Sequence, residues 1–195
     1  TYTPKYMESV WWLLKQIYDK GLLYKGYTIQ PYSPKAGTGL SSHELNQPGT
    51  YQDVTDTTIT AQFKAIKETL PEKIGSLSKE AVYFLAWTTT PWTLPSNTAL
   101  TVGPKISYSL IRTFNQYTFE PIEVVIADAL IEKQFEKKYE RINEESELSA
   151  YDSGAKKIPY LVLGNCTGKD LENARYEQLL DYVLPHDSPE NAFRV

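Results

Sequence analysis

Eleven residues near the middle of the chain concentrate an unusual set of functional groups: Trp87-Thr88-Thr89-Thr90-Pro91-Trp92-Thr93-Leu94-Pro95-Ser96-Asn97. Three consecutive hydroxyls precede a proline-bounded turn, two tryptophans flank it, and a carboxamide closes it. The stretch supplies hydroxyls, an amide and free backbone N–H groups, but no strong acid, base or thiol. That inventory suits holding a polyhydroxy substrate and a water, with rate coming from orientation and oxyanion stabilisation. It does not suit nucleophilic attack by a side chain. The competing structural reading is a strand end with β-branched threonines, terminated by two prolines. Hydroxyls, Trp92 and Asn97 coinciding in one turn favour a functional segment.

Other candidate groups carry less. His43 and His186 both lie in polar, loop-like sequence, and no third ligand stands at metal spacing, so no metal site is expected. A Ser-His-Asp arrangement has no G-x-S-x-G elbow to present it, and His186-Asp187 beside prolines reads as a turn. Asp53 and Asp56 resemble ordinary turn chemistry at a strand start. Ala36-Gly37-Thr38-Gly39 has neither the Lys-Ser/Thr nor the helix that a phosphate cradle needs, which leaves a hairpin or linker. Glu132, Lys133, Glu136, Lys137 and Lys138 read as a solvated helix face.

These groups must be positioned by mostly extended elements. Thr3 and Pro4 start a helix. Its apolar positions are Met7, Val10, Trp11, Leu14 and Tyr18, and Gly21 ends it; Trp11 and Trp12 are expected to pack in a core. Residues 22–30 read as extended, and residues 31–46 as a Gly-, Ser- and Pro-rich loop. Residues 57–66 alternate, with Ile59, Ala61, Phe63 and Ala65 on one face. Residues 67–79 look like a surface insertion. Residues 81–87 form a buried strand running into the threonines. Further strands are expected at 99–102, 107–113, 117–119 and 124–127, with 107–113 and 117–119 forming a hairpin around Asn115. Asp128 caps a helix reaching Tyr139 or Glu140. Residues 144–157 look loop-like, 158–163 a strand, 164–168 a turn, 169–176 a connector and 179–183 a last extended piece. The fold class is therefore mixed α/β and β-rich, a barrel or closed sheet rather than a doubly wound fold.

The chain has 195 residues, 41% of them apolar, enough for an ordinary core. Its net charge of −4 argues against free-standing polyanion binding. Cys166 is the only cysteine, which excludes an internal disulfide and fits a reducing, cytoplasmic setting. No apolar run approaches the roughly 18 residues of a membrane span, and no signal-peptide pattern opens the chain. Both ends read as cuts within a longer protein.

The central stretch closely resembles the threonine-rich peptide of the editing (CP1) domain of isoleucyl-tRNA synthetases. Tyr6-Met7-Glu8-Ser9-Val10-Trp11-Trp12 through Lys20 to Gly26 is similar to the family's helix leading from the catalytic domain. Residues 125–133 resemble its strand-to-helix segment. Gly168-Lys169-Asp170-Leu171 with Arg175-Tyr176-Glu177 resembles a segment ahead of the second half of its editing pocket. Related valyl and leucyl enzymes share the Thr-Thr start but usually continue with Arg-Pro.

The resemblance implies a connector over residues 1–46 and an editing domain of β-barrel type over residues 47–195. It implies hydrolysis of mischarged valyl-tRNA(Ile), inside an enzyme that ligates isoleucine to tRNA with ATP and Mg. One methylene in an apolar pocket is worth only about 1–3 kcal/mol; the isoleucine enzyme's rejection of valine is itself the standard example. Thr88, Thr89, Thr90 and Asn97 would be the catalytic and substrate-binding residues, and Trp92 would support the terminal adenosine or the pocket wall. The partners implied are the valine-charged tRNA 3′ end and the rest of the synthetase, with no membrane, no cofactor in this segment and a monomeric state.

Two features depart from the family. Ser33-Pro34-Lys35-Ala36 stands where many members carry a cysteine pair. The family's second pocket wall, Gly-Thr-Gly-Ile-Val-His followed by an ammonium-binding aspartate, does not occur, nor do His-Ile-Gly-His and Lys-Met-Ser-Lys-Ser. The chain alone is therefore expected to edit weakly and not to aminoacylate. The alternatives are the editing domain of a valyl or leucyl enzyme, or a non-enzymatic β-barrel that binds single-stranded RNA by stacking.

Overall fold

The computed structural model describes residues 1–195, which form two compact units, Thr1–Thr55 and Asp56–Val195. In the first, helix α1 (Pro4–Asp19) begins with proline at its first turn, where no N–H is needed. Thr3 occupies the N-cap position without a side-chain cap bond. Gly21, at φ 70°, ends the helix. Its N–H donates to Tyr18 O, and that of Leu22 to Ile17 O, the paired bonds of a Schellman cap. No residue of α1 is buried. Trp11 and Trp12 are 76% and 62% exposed, so the expectation that they pack in a core is wrong: this unit contains no apolar layer against which α1 could lay them. A two-residue hairpin follows, β1 (Tyr32–Ser33) with β2 (Thr38–Gly39). The next helix is α2 (Ser42–Leu45), where Ser41 and Glu44 form a capping box.

The second unit is built on a six-stranded sheet. Its strands are β3 (Ile59–Lys64), β4 (Val82–Thr88), β5 (Ser107–Phe114), β6 (Pro121–Ala127), β7 (Tyr139–Arg141) and β8 (Ile158–Thr167). The spatial order is β3-β4-β6-β5-β8-β7. Pairing is antiparallel except between β4 and β6 and between β7 and β8. The sheet is open, with β3 and β7 at its edges, so the expected closed barrel is not formed. The α/β, β-rich class holds.

Side chains alternate across the sheet, and each face carries its own core. On one face Phe63, Phe84, Leu110 and Val125 pack with Leu70, Ile74, Leu171 and Tyr176. On the other, Ile111, Ile122, Val124 and Ile126 pack with Phe135 and Tyr160. Each such side chain, fully buried, contributes about 1.5–3 kcal/mol. Ala61, Phe63 and Ala65 lie on one buried face as their alternation requires, while Ile59 at the strand start is partly exposed.

Several local expectations fail for identifiable reasons. Residues 67–79 are not a surface insertion. Helix α3 (Glu72–Gly75) buries Ile74 completely, with Leu70 beside it; two apolar positions in a polar segment suffice to dock it. Residues 169–176 are core rather than connector, since Leu171, Ala174 and Tyr176 are buried. Residues 164–168 do not turn. Strand β8 runs through Gly164 to Thr167, and a Cβ at Gly164 would stand 2.6 Å from Leu77 Cδ1. The glycine there permits close approach of a neighbour, not reversal of the chain. Residues 99–102 and 179–183 form no strand. The helix after Asp128 is shorter than its periodicity suggests: a 3-10 turn (Asp128–Leu130), then α4 (Ile131–Phe135). Residues 144–157 contain α5 (Glu145–Ser149), started by a Glu144/Glu147 capping box. At the hairpin, Asn115 Oδ1 accepts from the N–H groups of Tyr117 and Thr118, and the returning strand starts at Pro121 rather than Tyr117.

Candidate active site at the end of β4

β4 delivers the threonines. Its alternation places Val82, Phe84 and Ala86 toward the first core, and Tyr83 and Leu85 toward the second. Thr88, the last residue of the strand and the partner of Ile59 on β3, continues the first series. Trp87 continues the second and is 62% exposed. Past Thr88 the ladder stops, and residues Pro91–Ser96 wind into a 3-10 turn with Pro91 at its start.

The turn is held from within. The Thr90 N–H donates to Thr88 Oγ1 at 3.0 Å, and the two hydroxyls stand 3.2 Å apart. The Thr93 N–H and hydroxyl both donate to Thr90 O, at 3.0 and 2.8 Å. Thr89 and Trp92 point outward, with Trp92 66% exposed. Leu94 packs against the first core and anchors the turn to the sheet.

Asn97 is fixed differently. Its Nδ2 donates to Ala99 O at 3.0 Å, and its Oδ1 accepts from the Tyr176 hydroxyl at 2.7 Å. These two partners define which end of the amide is which. Tyr176 is 1% exposed, with its ring edge-on to Phe63 at 5.2 Å. Burial pushes its hydroxyl up to about 12, so it is a neutral donor at physiological pH. The Asn97 amide does not bond to the threonine hydroxyls; it retains one Nδ2 hydrogen and one Oδ1 lone pair for another group.

Residues 97–100 are clamped by the chain's last residues. The Phe193 N–H donates to Thr98 O at 2.6 Å, and that of Leu100 to Arg194 O at 3.0 Å. The Tyr176 N–H donates in turn to Phe193 O at 3.0 Å. Phe193 adopts φ 60° to make this double contact. Sequence reasoning missed both Tyr176 and this clamp. Tyr176 was visible only as part of the Arg175-Tyr176-Glu177 segment, and a clamp built from backbone groups leaves no side-chain signature.

None of the hydrogen bonds at the turn involves an acid, a histidine or a thiol. The site can therefore orient and polarise, but no side-chain base is bonded to its hydroxyls to activate one as a nucleophile. The remaining sequence candidates lie elsewhere. His43 sits on α2. His186 pairs only with Asp187, at 2.9 Å, on side chains 97% and 95% exposed. Asp56 Oδ1 accepts from the next residue's N–H at 2.7 Å. Cys166 is buried, and burial pushes its thiol up to about 11, far from a reactive thiolate.

Comparison with known proteins places the chain in a family. The family model described as tRNA synthetases class I (I, L, M and V) matches residues 1–152. Proteins named isoleucine--tRNA ligase match nearly end to end. That of Bacteroides fragilis is 56% identical over 195 residues, all of this chain and 16% of the relative. That of Cytophaga hutchinsonii is 55% identical over the same span. That of Treponema denticola is 39% identical over 197 residues and 98% of this chain. The chain thus spans about 16% of the length of the relatives it matches.

Proposed function

We propose, from the premise that the chain belongs to the class I tRNA synthetases of the I, L, M and V group, that it is the proofreading segment of an isoleucine--tRNA ligase. Its reaction would be hydrolysis of valine from mischarged tRNA(Ile). The ligase as a whole would join isoleucine to tRNA with ATP and Mg in the cytoplasm, and the tRNA 3′ end would be this segment's partner.

The observation that carries the reading is the Thr88–Asn97 turn. It gathers hydroxyls, an amide locked by Tyr176 and an exposed tryptophan, without an acid or base among its hydrogen bonds. Ester hydrolysis here proceeds by a positioned water. The water's oxygen bonds to the acyl carbon, the bond from that carbon to the ribose oxygen breaks, and the leaving ribose oxygen takes the proton that the water gives up. Thr88 and Thr90 orient the ester and the terminal ribose. Thr89, free of internal bonds, faces the water or the developing oxyanion. Trp92 offers its exposed ring to the terminal adenine, and the Asn97 amide directs its spare hydrogen at the substrate. Pre-set donors of this kind are worth about 10²–10³ in rate each.

The test is made in the ligase that contains this segment. Thr88→Ala/Thr89→Ala/Thr90→Ala should let valyl-tRNA accumulate while isoleucylation continues. Unchanged mischarging would sink the assignment.

A further inference from the structure

The sheet carries a second concavity, on the face opposite the threonine turn. It is a cleft of about 300 Å³ between β3, the Asn115 hairpin and α4, at the small end of ligand-site volumes, which run about 300–1,000 Å³. Its floor is apolar: Leu85, Ile122 and Val124 from the sheet, with Phe135 from α4. Its walls are neutral and polar, with Gln62, Gln116, Gln134 and Thr60 prominent, and no charged side chain lines it.

The amides are only half used. Gln62 Oε1 accepts from Asn115 Nδ2, and Gln134 Oε1 accepts from the Thr60 hydroxyl, each at 3.4 Å. Both bonds leave the Nε2 donors directed at no protein group. This lining suits an uncharged ligand with hydrogen-bonding edges. A nucleobase has that chemistry, and glutamine amides read base edges.

Cations and aromatic rings flank the cleft. Lys133 Nζ lies 5.8 Å from the Trp87 ring centroid. Lys138 Nζ lies 5.7 Å from that of Tyr117, itself 77% exposed and part of the cleft wall. Aromatic stacking surfaces beside cations that meet phosphates are the recurring equipment for single strands. This local arrangement coexists with a net charge of −4, which disfavours indiscriminate binding of polyanions.

We propose that this cleft binds one unpaired nucleobase of an RNA strand, with Gln62 and Gln134 reading its edge and Lys133 and Lys138 holding the adjoining phosphates. The inference rests on family membership and the cleft, not on the editing role of Thr88–Asn97.

The test titrates this chain with the four neutral nucleosides, ribose 5-phosphate and a short single-stranded oligoribonucleotide, followed by saturation-transfer NMR. At least one nucleoside should bind saturably, the oligonucleotide about tenfold or more tighter at low salt, and ribose 5-phosphate not measurably. Gln62→Leu/Gln134→Leu, which keeps the volume, should weaken nucleoside and oligonucleotide about fivefold or more, as expected for losing edge contacts. Lys133→Ala/Lys138→Ala should weaken only the oligonucleotide. In a chain carrying Thr88→Ala/Thr90→Ala, which disables the editing turn, the glutamine and lysine changes should have the same effects, which separates this site from that turn. Unaltered circular dichroism controls for folding. Failure of every nucleoside to bind, or binding indifferent to the glutamines, overturns the proposal. Equal affinity for nucleoside and oligonucleotide would overturn its strand component and assign the cleft to free nucleosides.

Discussion

The Tyr176 hydroxyl donates to Asn97 Oδ1 at 2.7 Å across 79 residues of sequence. This bond ties the threonine turn to the core, because Tyr176 belongs to the same buried cluster as Phe63 and Leu171. Asn97 is thereby a pre-oriented amide rather than a mobile surface group.

Tyr176→Phe should retain the ring packing and lose this bond. The expected loss of stability is about 0.5–1.5 kcal/mol, read by urea unfolding. Tyr176→Ala should cost about 3–5 kcal/mol, a large share of an ordinary domain's stability. Equal effects of the two changes would show that the hydroxyl, not the ring, holds the turn.

Strands β5 and β6 carry a buried ion pair in register, Arg112 opposite Glu123. Arg112 Nε and Nη2 reach Glu123 Oε1 at 2.8 and 2.7 Å, and the Lys79 N–H donates to the same oxygen. Glu123 is fully buried, and its Oε2 has no partner. Arg112 also pairs with Glu145, so removal of Glu123 leaves it a partner, whereas removal of Arg112 strands the buried Glu123 carboxylate; Arg112→Met should cost about 3–5 kcal/mol. The double change Arg112→Met/Glu123→Leu should recover most of that loss. A double variant as unstable as the single one would contradict this.

Asp170 gives an acid limb to stability. Its carboxylate accepts from the Thr167 N–H and hydroxyl, each at 2.8 Å, and pairs with Lys73 at 2.9 Å. The Thr167 N–H foremost, then Lys73, holds its pKa down to about 2. The folded value lies below the unfolded one of about 3.9. Its contribution is therefore present above about pH 4 and lost as pH falls toward 2. Asp170→Asn should flatten that part of the profile in unfolding measured between pH 2 and 6. A profile unchanged by the substitution would contradict the assignment.

Cys166 should resist thiol reagents at neutral pH, since burial both hides the sulfur and raises its pKa to about 11. Labelling by a disulfide reagent should become rapid only in denaturant. Rapid labelling of the native chain would refute this placement.

The sequence made the sheet legible wherever alternation or apolar runs were strong. Phe63 on β3, Phe84 on β4 and Val125 on β6 are such positions. It made the threonine turn legible through an unusual density of polar and aromatic types. It concealed the segments around Ile74 and Leu171, where one or two apolar residues in polar surroundings are buried by long-range contacts. Closure of the sheet is likewise not local: it depends on pairing between β3 and β7 at the two edges, which does not occur. The Trp11 and Trp12 expectation failed because a burial habit by residue type says nothing about whether a partner layer exists within the unit.

We propose that Thr88–Thr90 and Asn97 form a hydrolytic proofreading site. This is tested most directly by the rate of deacylation of pre-formed valyl-tRNA(Ile) by the ligase containing this segment, with and without Thr89→Ala and Asn97→Ala. Each change should slow deacylation of valyl-tRNA by about 10²-fold or more if the lost donor acts at the oxyanion, with isoleucylation unaltered. Deacylation at the unsubstituted rate in both variants would contradict the account.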